Sequence, residues 1–262
     1  MECSNKSSKD IFKFKQFSVL QGNVAMRVNT DGVLLGAYVV KFLDTSIKKV
    51  LDIGTGTGVI ALMLAQKLHA LFKDFKIDAI DIDEECYHVA SENFTASPWS
   101  VHLNTFHTSL QEFSAQKLSS SSAADLEKYD LIVSNPPYFN NSLKNPSKEK
   151  STARHTTKLS YKDLIASVVQ LLKDNGTFAV IIPSSEKEKF LELAHLNFLY
   201  EKREVKVYSK RSDLEKDRES KRTILFLSKG IQTERIAQEI YLEEKNGERS
   251  AAYKNLTQDY YL

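Results

Sequence analysis

The sequence predicts an α/β protein with a mostly parallel sheet of seven strands and an antiparallel hairpin at its C-terminal edge. Three observations carry that expectation. Strand-like and helix-like segments alternate from residue 48 to about residue 200, the pattern of a parallel sheet covered on both faces. A glycine-rich loop joins the first of these strands to the first helix. Two late strand-like runs, Arg203–Tyr208 and Thr223–Leu227, have no helical pattern between them and imply a hairpin.

The elements follow in order. Lys48–Ile53 is a short apolar run ending at Gly54. Val59–Leu71 has apolar residues at helical spacing, and Lys76–Ile82 alternates as a strand does. Glu84–Ala96 reads as a helix stopping before Pro98, with Asp83 as its N-cap. Val101–Phe106 and Leu110–Leu118 read as a strand and a short helix, and Ser119–Ala124 as a surface loop. Tyr129–Ser134 is a buried strand running into Asn135-Pro136-Pro137. Ser160–Leu172 opens on a Ser with Asp163 three residues on, close to a capping box, and Asn175-Gly176 is its expected end. Phe178–Ile182 is a strand and Ser184–Leu196 a helix. The expected division is an N-terminal extension over residues 1–45, an α/β unit over 46–230 and a C-terminal extension over 231–262.

Composition narrows the class. The chain has 262 residues, 42% hydrophobic and 27% charged, as soluble globular proteins do, with length for a substantial core. Two Cys, Cys3 and Cys86, exclude a disulfide scaffold and suit the cytoplasm. The six His show no ligand spacing with Cys or Glu, so no metal is expected. There is no long apolar run and no signal-peptide pattern, so no membrane partner is expected. The net charge of +2 hides a pattern: +3 over residues 1–30, +5 over 141–162 and +4 over 201–230. Such runs are usually solvated surface, but separated basic segments can also assemble a polyanion-binding face.

Asp52-Ile53-Gly54-Thr55-Gly56-Thr57-Gly58 lies between strand and helix. Gly54 permits the turn, Gly56 lets a ligand approach the backbone, and Gly58 lets the helix pack near the strand. Asp81, 25 residues beyond Gly56, ends the second strand, where a carboxylate meets ribose hydroxyls. The spacing is not that of a dinucleotide site, whose helix N-terminus receives a pyrophosphate. Asp52 before the glycines would repel phosphate and suits a ligand with a positive amine, such as S-adenosylmethionine. The loop resembles motif I of class I S-adenosylmethionine-dependent methyltransferases, with Asp81 as the acidic residue of motif II. That resemblance implies a Rossmann-like fold and this cofactor. Where many relatives carry an acid against the adenine amine, this chain has Ser109.

Asn135-Pro136-Pro137-Tyr138 ends the fourth strand, next to the first, at the sheet edge where ligands collect. The Asn135 side-chain oxygen and the Pro136 carbonyl can both accept from one planar amine. The prolines stiffen the loop, and Tyr138 and Phe139 offer rings for stacking. The four residues resemble motif IV of amino-methyltransferases, which act on adenine, guanine or glutamine nitrogens. Residues 12–37 (FKFKQFSVLQGNVAMRVNTDGVLLGA), the glycine loop, NPPYF at 135–139 and TARHTTKLSYKDLI at 152–165 together resemble the tRNA1(Val) adenine-37 N6-methyltransferase family.

The resemblance implies catalytic Asn135, Pro136 and Tyr138, and a cofactor held by Asp31, Asp52, Gly54, Gly56, Gly58 and Asp81. Thr30-Asp31-Gly32 would fold back over that cofactor. Transfer RNA is the implied partner of what is expected to be a monomer. Phe139, Lys144, Lys148, Lys150 and Arg154 are the candidate RNA contacts, since basic stretches beside the catalytic loop suit a phosphate backbone. Phe12, Phe14 and Phe17 fit either base stacking or core packing.

Alternatives remain at this point. A glutamine N5-methyltransferase shares NPPY but usually carries an N-terminal helical domain, for which the roughly 45 residues ahead of the sheet are too few. A DNA adenine methyltransferase would need a target-recognition insert. A non-catalytic RNA-binding relic would not be expected to keep both motifs intact.

Overall fold

The computed structural model describes residues 10–119, 128–137, 159–212, 219–230 and 235–262. A hairpin of β1 (Ile11–Lys13) and β2 (Ser18–Leu20) leads to helix α1 (Thr30–Val40). Then come β3 (Lys49–Ile53), α2 (Val59–Leu71), β4 (Lys76–Asp81), α3 (Glu84–Thr95), β5 (Leu103–His107), α4 (Leu110–Ser119) and β6 (Tyr129–Ser134). The chain continues through α5 (Tyr161–Leu171), β7 (Leu172–Pro183), α6 (Lys187–Leu196), β8 (Leu199–Lys210), β9 (Arg222–Lys229), β10 (Ile236–Glu243) and α7 (Ala251–Thr257).

The main sheet runs β10-β8-β9-β7-β6-β3-β4-β5. Strands β3 to β7 are mutually parallel, and β9 lies antiparallel between β7 and β8, as the hairpin reading requires. The sheet has eight strands rather than seven. The added strand, β10, comes from the C-terminal segment and pairs parallel with β8. Its residues IAQEIYLE bury only Ile240, so neither an apolar run nor a clean alternation marks it.

Period-two alternation divides the sheet between two cores. Val50, Ile77, Val133 and Ile181 face α1, α2 and the N-terminal aromatics. Leu51, Ile53, Ile132 and Val180 face α5 and α6. Helix α1 has no sequence signature because nine of its eleven residues are buried; without a polar face there is no periodic stripe. Gly36 lets it approach α2, since a Cβ there would stand 2.8 Å from Met63 Sδ.

The end of α5 differs from expectation. It closes at Leu171, and Asn175-Gly176 lies inside β7. The pairing with β6 shifts there, from Tyr129↔Leu172 to Leu131↔Thr177. A Cβ on Gly176 would come within 2.7 Å of Leu172 Cδ1 and 3.0 Å of the Tyr129 carbonyl oxygen, so glycine marks a close approach rather than a helix stop.

Phe14 and Phe17 are buried; their rings stack at 4.6 Å, and they also meet Tyr261 and Trp99. With Phe12 packed against the same cluster, these three aromatics are core and not a platform for bases. They join the N-terminal hairpin to the C-terminal segment, where Lys15 N–H donates to the Tyr260 carbonyl at 2.8 Å. Among the described residues, no helix is long and apolar enough to cross a membrane.

Candidate active site

Register alone assembles the site. Ile53 pairs with Ile80 on one side and Ser134 on the other. Gly54, Asp81 and Asn135 therefore leave the sheet side by side, at the carboxyl ends of three adjacent parallel strands. Two interstrand spacings, about 10 Å, separate Asp81 from Asn135.

The glycine loop turns over the end of β4. Gly54 and Thr55 N–H both donate to the Ile80 carbonyl, at 2.9 and 3.1 Å. Gly54, Gly56 and Gly58 all have positive φ, which L side chains rarely adopt. They differ in surroundings. A Cβ on Gly54 would meet nothing within 4 Å, so its face opens to a ligand. One on Gly58 would strike Phe94 at 2.5 Å, so this glycine serves packing, as the spacing implied.

Asp81 accepts from Gly56 N–H at 2.9 Å through Oδ2 and from Asp83 N–H at 3.0 Å through Oδ1. Burial raises its pKa above the ordinary carboxylate range, and those N–H bonds oppose the shift. Each oxygen retains a second lone pair. Asp83 takes the capping role expected of it, accepting from Cys86 N–H at 3.1 Å.

Asp52 is fully enclosed beneath the loop, with no surface open to the ligand side. Its Oδ2 accepts from the Thr55 hydroxyl at 2.7 Å, while its Oδ1 has no partner among the described residues. Burial pushes its carboxyl up to about 7, and the bond from the Thr55 hydroxyl opposes the shift. Being enclosed, it can act on a ligand through the loop it holds.

Asn135 and Pro136 are buried, and Ser134 beneath them donates to the Ile53 carbonyl at 2.9 Å, tying β6 to the start of the glycine loop. Asn135 Oδ1 is buried with no partner among the described residues. An unsatisfied buried acceptor costs about 1–3 kcal/mol, and a donor entering the site at this strand end could satisfy it. Tyr138, Phe139, Lys144, Lys148, Lys150 and Arg154 lie outside the described residues.

The N-terminal segment folds over this edge. Asn29 caps α1, accepting from Gly32 N–H at 2.9 Å. A Cβ on Gly32 would lie 3.9 Å from Asn135 Nδ2 and 3.6 Å from Val59 Cγ1. The Met26 carbonyl stands over Gly56. Asp31 joins this first turn to β9 through Arg222, Nε to Oδ2 at 2.9 Å.

Sequence reasoning missed several of these groups. Asn93 on α3 binds the Leu20 N–H and carbonyl and the Thr57 carbonyl, so it fastens the hairpin to the glycine loop. Arg222 was one charge in a basic stretch. Ser109 is engaged in capping α4: its hydroxyl donates to Glu112 Oε2 at 2.8 Å and accepts from Glu112 N–H at 3.2 Å. That pair is an S-x-x-E capping box readable in Ser109-Leu110-Gln111-Glu112.

The residues fit S-adenosylmethionine. The open face at Gly54, the acceptor pair on Asp81 and the unpartnered Asn135 oxygen stand in one row with no basic side chain in the loop for a phosphate.

Comparison with known proteins agrees. The methyltransferase small domain family matches residues 35–209. The tRNA1(Val) (adenine(37)-N6)-methyltransferase of Flavobacterium johnsoniae is 39% identical over 252 residues, covering 96% of this chain and 99% of that protein. The enzyme of the same name from Bacteroides fragilis is 39% identical over 258 residues, covering 97% and 99%. Among solved structures, a protein described as a predicted O-methyltransferase from Agrobacterium tumefaciens superposes with a TM-score of 0.59 at 13% identity, over 88% of this chain and 96% of that one. At that identity the likeness concerns the fold alone. With a register-built cofactor edge, an NPP turn and near full-length relatives at this identity, the chain belongs to the tRNA1(Val) (adenine(37)-N6)-methyltransferase family.

Proposed function

We propose that the protein transfers a methyl group from S-adenosylmethionine to the N6 amine of adenine 37 in tRNA1(Val), acting in the cytoplasm as a monomer. The observation that carries this reading is the buried, unpartnered Asn135 oxygen beside the glycine loop, in a chain with full-length relatives of that name. The cofactor, when bound, supplies an electrophilic methyl on a sulfonium. Asp81 would accept from its ribose hydroxyls, the Gly54–Gly56 backbone would lie along it, and Asp52 and Asp31 would act through the loop and through the first turn of α1.

The chemistry follows from the target. The lone pair of an exocyclic adenine nitrogen is delocalised into the ring and is a weak nucleophile. Asn135 Oδ1 and the Pro136 carbonyl accept its two hydrogens, raise electron density on nitrogen and aim the lone pair. No general base is required before attack, because the proton leaves after transfer. Tyr138 would stack on the base and hold it in line. The target is unpaired in an anticodon loop, so extruding it costs less than flipping a base from a duplex.

The test is methyl transfer to bulk tRNA followed by nucleoside mass spectrometry. N6-methyladenosine is expected; N2-methylguanosine, or transfer to a protein glutamine, would leave the motif chemistry standing and overturn the substrate.

The RNA contacts are proposed to be distributed over Phe139, Lys144, Lys148, Lys150 and Arg154. Neutralising the four cations together should weaken tRNA binding and flatten its dependence on salt, the slope falling by about one for each cation that pairs with a phosphate. Affinity for S-adenosylhomocysteine should stay unchanged. An unaltered slope in filter-binding titrations would return these residues to ordinary solvated surface.

A further inference from the structure

Met26 lies between β2 and α1 and touches both halves of the site. Its carbonyl oxygen stands 3.8 Å from where a Cβ on Gly56 would be. Asn135 Nδ2 donates to its Sδ at 3.6 Å. The segment carrying it is itself held, because Val28 N–H donates to the Gln21 side-chain oxygen at 3.2 Å and Asn29 caps α1.

The contact matters because a carboxamide has two ends of nearly the same shape and opposite chemistry: the oxygen accepts and the NH₂ donates. In one orientation Asn135 presents an acceptor to an incoming amine. Turned over, it would present hydrogens to hydrogens, and the electronic assistance would vanish. Among the described residues nothing holds Asn135 on its oxygen side. Among the described residues, the donation to Met26 Sδ is therefore the interaction that distinguishes the two orientations. Gly32 borders the same amide and leaves room for it, a Cβ there lying 3.9 Å from Nδ2.

We propose that Met26 is a positioning residue: its thioether accepts from Asn135 Nδ2 and so keeps Asn135 Oδ1 turned toward the substrate amine. The inference rests on the amino-methyltransferase reading and deepens it. A thioether suits the task. It has acceptor capacity but no hydrogen to donate, so it pairs with the NH₂ and not with the oxygen. It is also apolar and adaptable in shape, and packs beside the cofactor loop without requiring further polar partners.

The experiment compares Met26→Leu, which keeps bulk and removes the acceptor, with Met26→Gln, which restores an oxygen acceptor on an unbranched side chain. A hydrogen bond worth about 1 kcal/mol corresponds to roughly fivefold. The Leu variant should therefore lower kcat for tRNA methylation roughly fivefold to tenfold, with the KM for tRNA and the affinity for S-adenosylhomocysteine within about twofold of wild type. The Gln variant should recover part of the lost rate, because its carboxamide oxygen can accept from Asn135 Nδ2 while its own NH₂ can pair with Oδ1 in the turned-over orientation. A second readout needs no substrate. In protein labelled with ¹⁵N at asparagine, the Asn135 side-chain signals, identified by their absence from Asn135→Ala, should move in the Leu variant and exchange faster with solvent.

Unmoved signals with a wild-type kcat in the Leu variant would overturn the proposal. So would equal reductions of kcat and cofactor affinity that Gln does not rescue, since Met26 would then only pack the loop. If the wild-type enzyme failed to methylate tRNA, the substrate reading would fall, while the Asn135 signals would still decide whether Met26 orients the amide.

Discussion

Replacing Asn135 by alanine is expected to lower kcat for tRNA methylation by roughly 10²-fold or more, by analogy with removing one preorganised hydrogen-bonding group from an active site. The expectation rests on placement. Asn135 leaves β6 immediately after Ser134, whose hydroxyl is bonded to the Ile53 carbonyl, so the turn is fixed to the neighbouring strand. Its oxygen is buried and has no partner among the described residues. In the folded protein that oxygen stabilises nothing; with an amine in place it would supply one of the two proposed acceptors. The effect should fall on kcat, while the KM for tRNA and binding of S-adenosylhomocysteine change little, because neither the phosphate contacts nor the loop under the cofactor is touched. Steady-state kinetics with the two substrates varied separately would show it. A wild-type rate would end the account of how the amine is activated.

The second large effect is expected at Asp81. Its carboxylate accepts from Gly56 N–H and Asp83 N–H, so it shapes the glycine loop, and it is the group proposed to accept from the ribose hydroxyls. Asp81→Ala removes those acceptors together. Hydrogen bonds to a charged group contribute about 1.5–3 kcal/mol each, so removing the ribose acceptors alone should weaken S-adenosylhomocysteine binding by at least about 10²-fold. Asp81→Asn, which retains one acceptor oxygen, should bind with intermediate affinity. Calorimetry reads both, with circular dichroism to confirm that the fold persists. Unchanged affinity in Asp81→Ala would place the cofactor elsewhere.

The parts of the molecule that were legible in the sequence are those with a local rule. Val59–Leu71 and Tyr129–Ser134 fall where their patterns put them, and Ser160 and Asp83 cap the helices they precede. Gly54 turns the chain at the strand end and Gly58 packs against Phe94, as their places in the loop implied; that all three loop glycines have positive φ is added by the structure. What was not legible depends on tertiary context. Helix α1 is buried nearly all round and so lacks a polar face to read. Strand β10 is an edge strand that exists by pairing with β8. Gly176 resembled a helix stop because proximity to Leu172 and the Tyr129 carbonyl cannot be read from a linear pattern. The candidate site divides in the same way. Asp81 and Asn135 carry recognisable motifs, whereas Asn93, Arg222 and Met26 belong to it through contacts made 36 to 191 positions away along the chain.

The central claim is that this sheet edge methylates the N6 amine of adenine 37. The most direct measurement uses an unmodified tRNA1(Val) transcript and its counterpart with guanine at position 37, each incubated with enzyme and S-adenosylmethionine, then digested and mapped by fragment mass spectrometry. The account predicts one methyl group, on N6 of adenine 37, and none on the guanine-37 transcript. A methyl group at another position, or equal methylation of both transcripts, would contradict it.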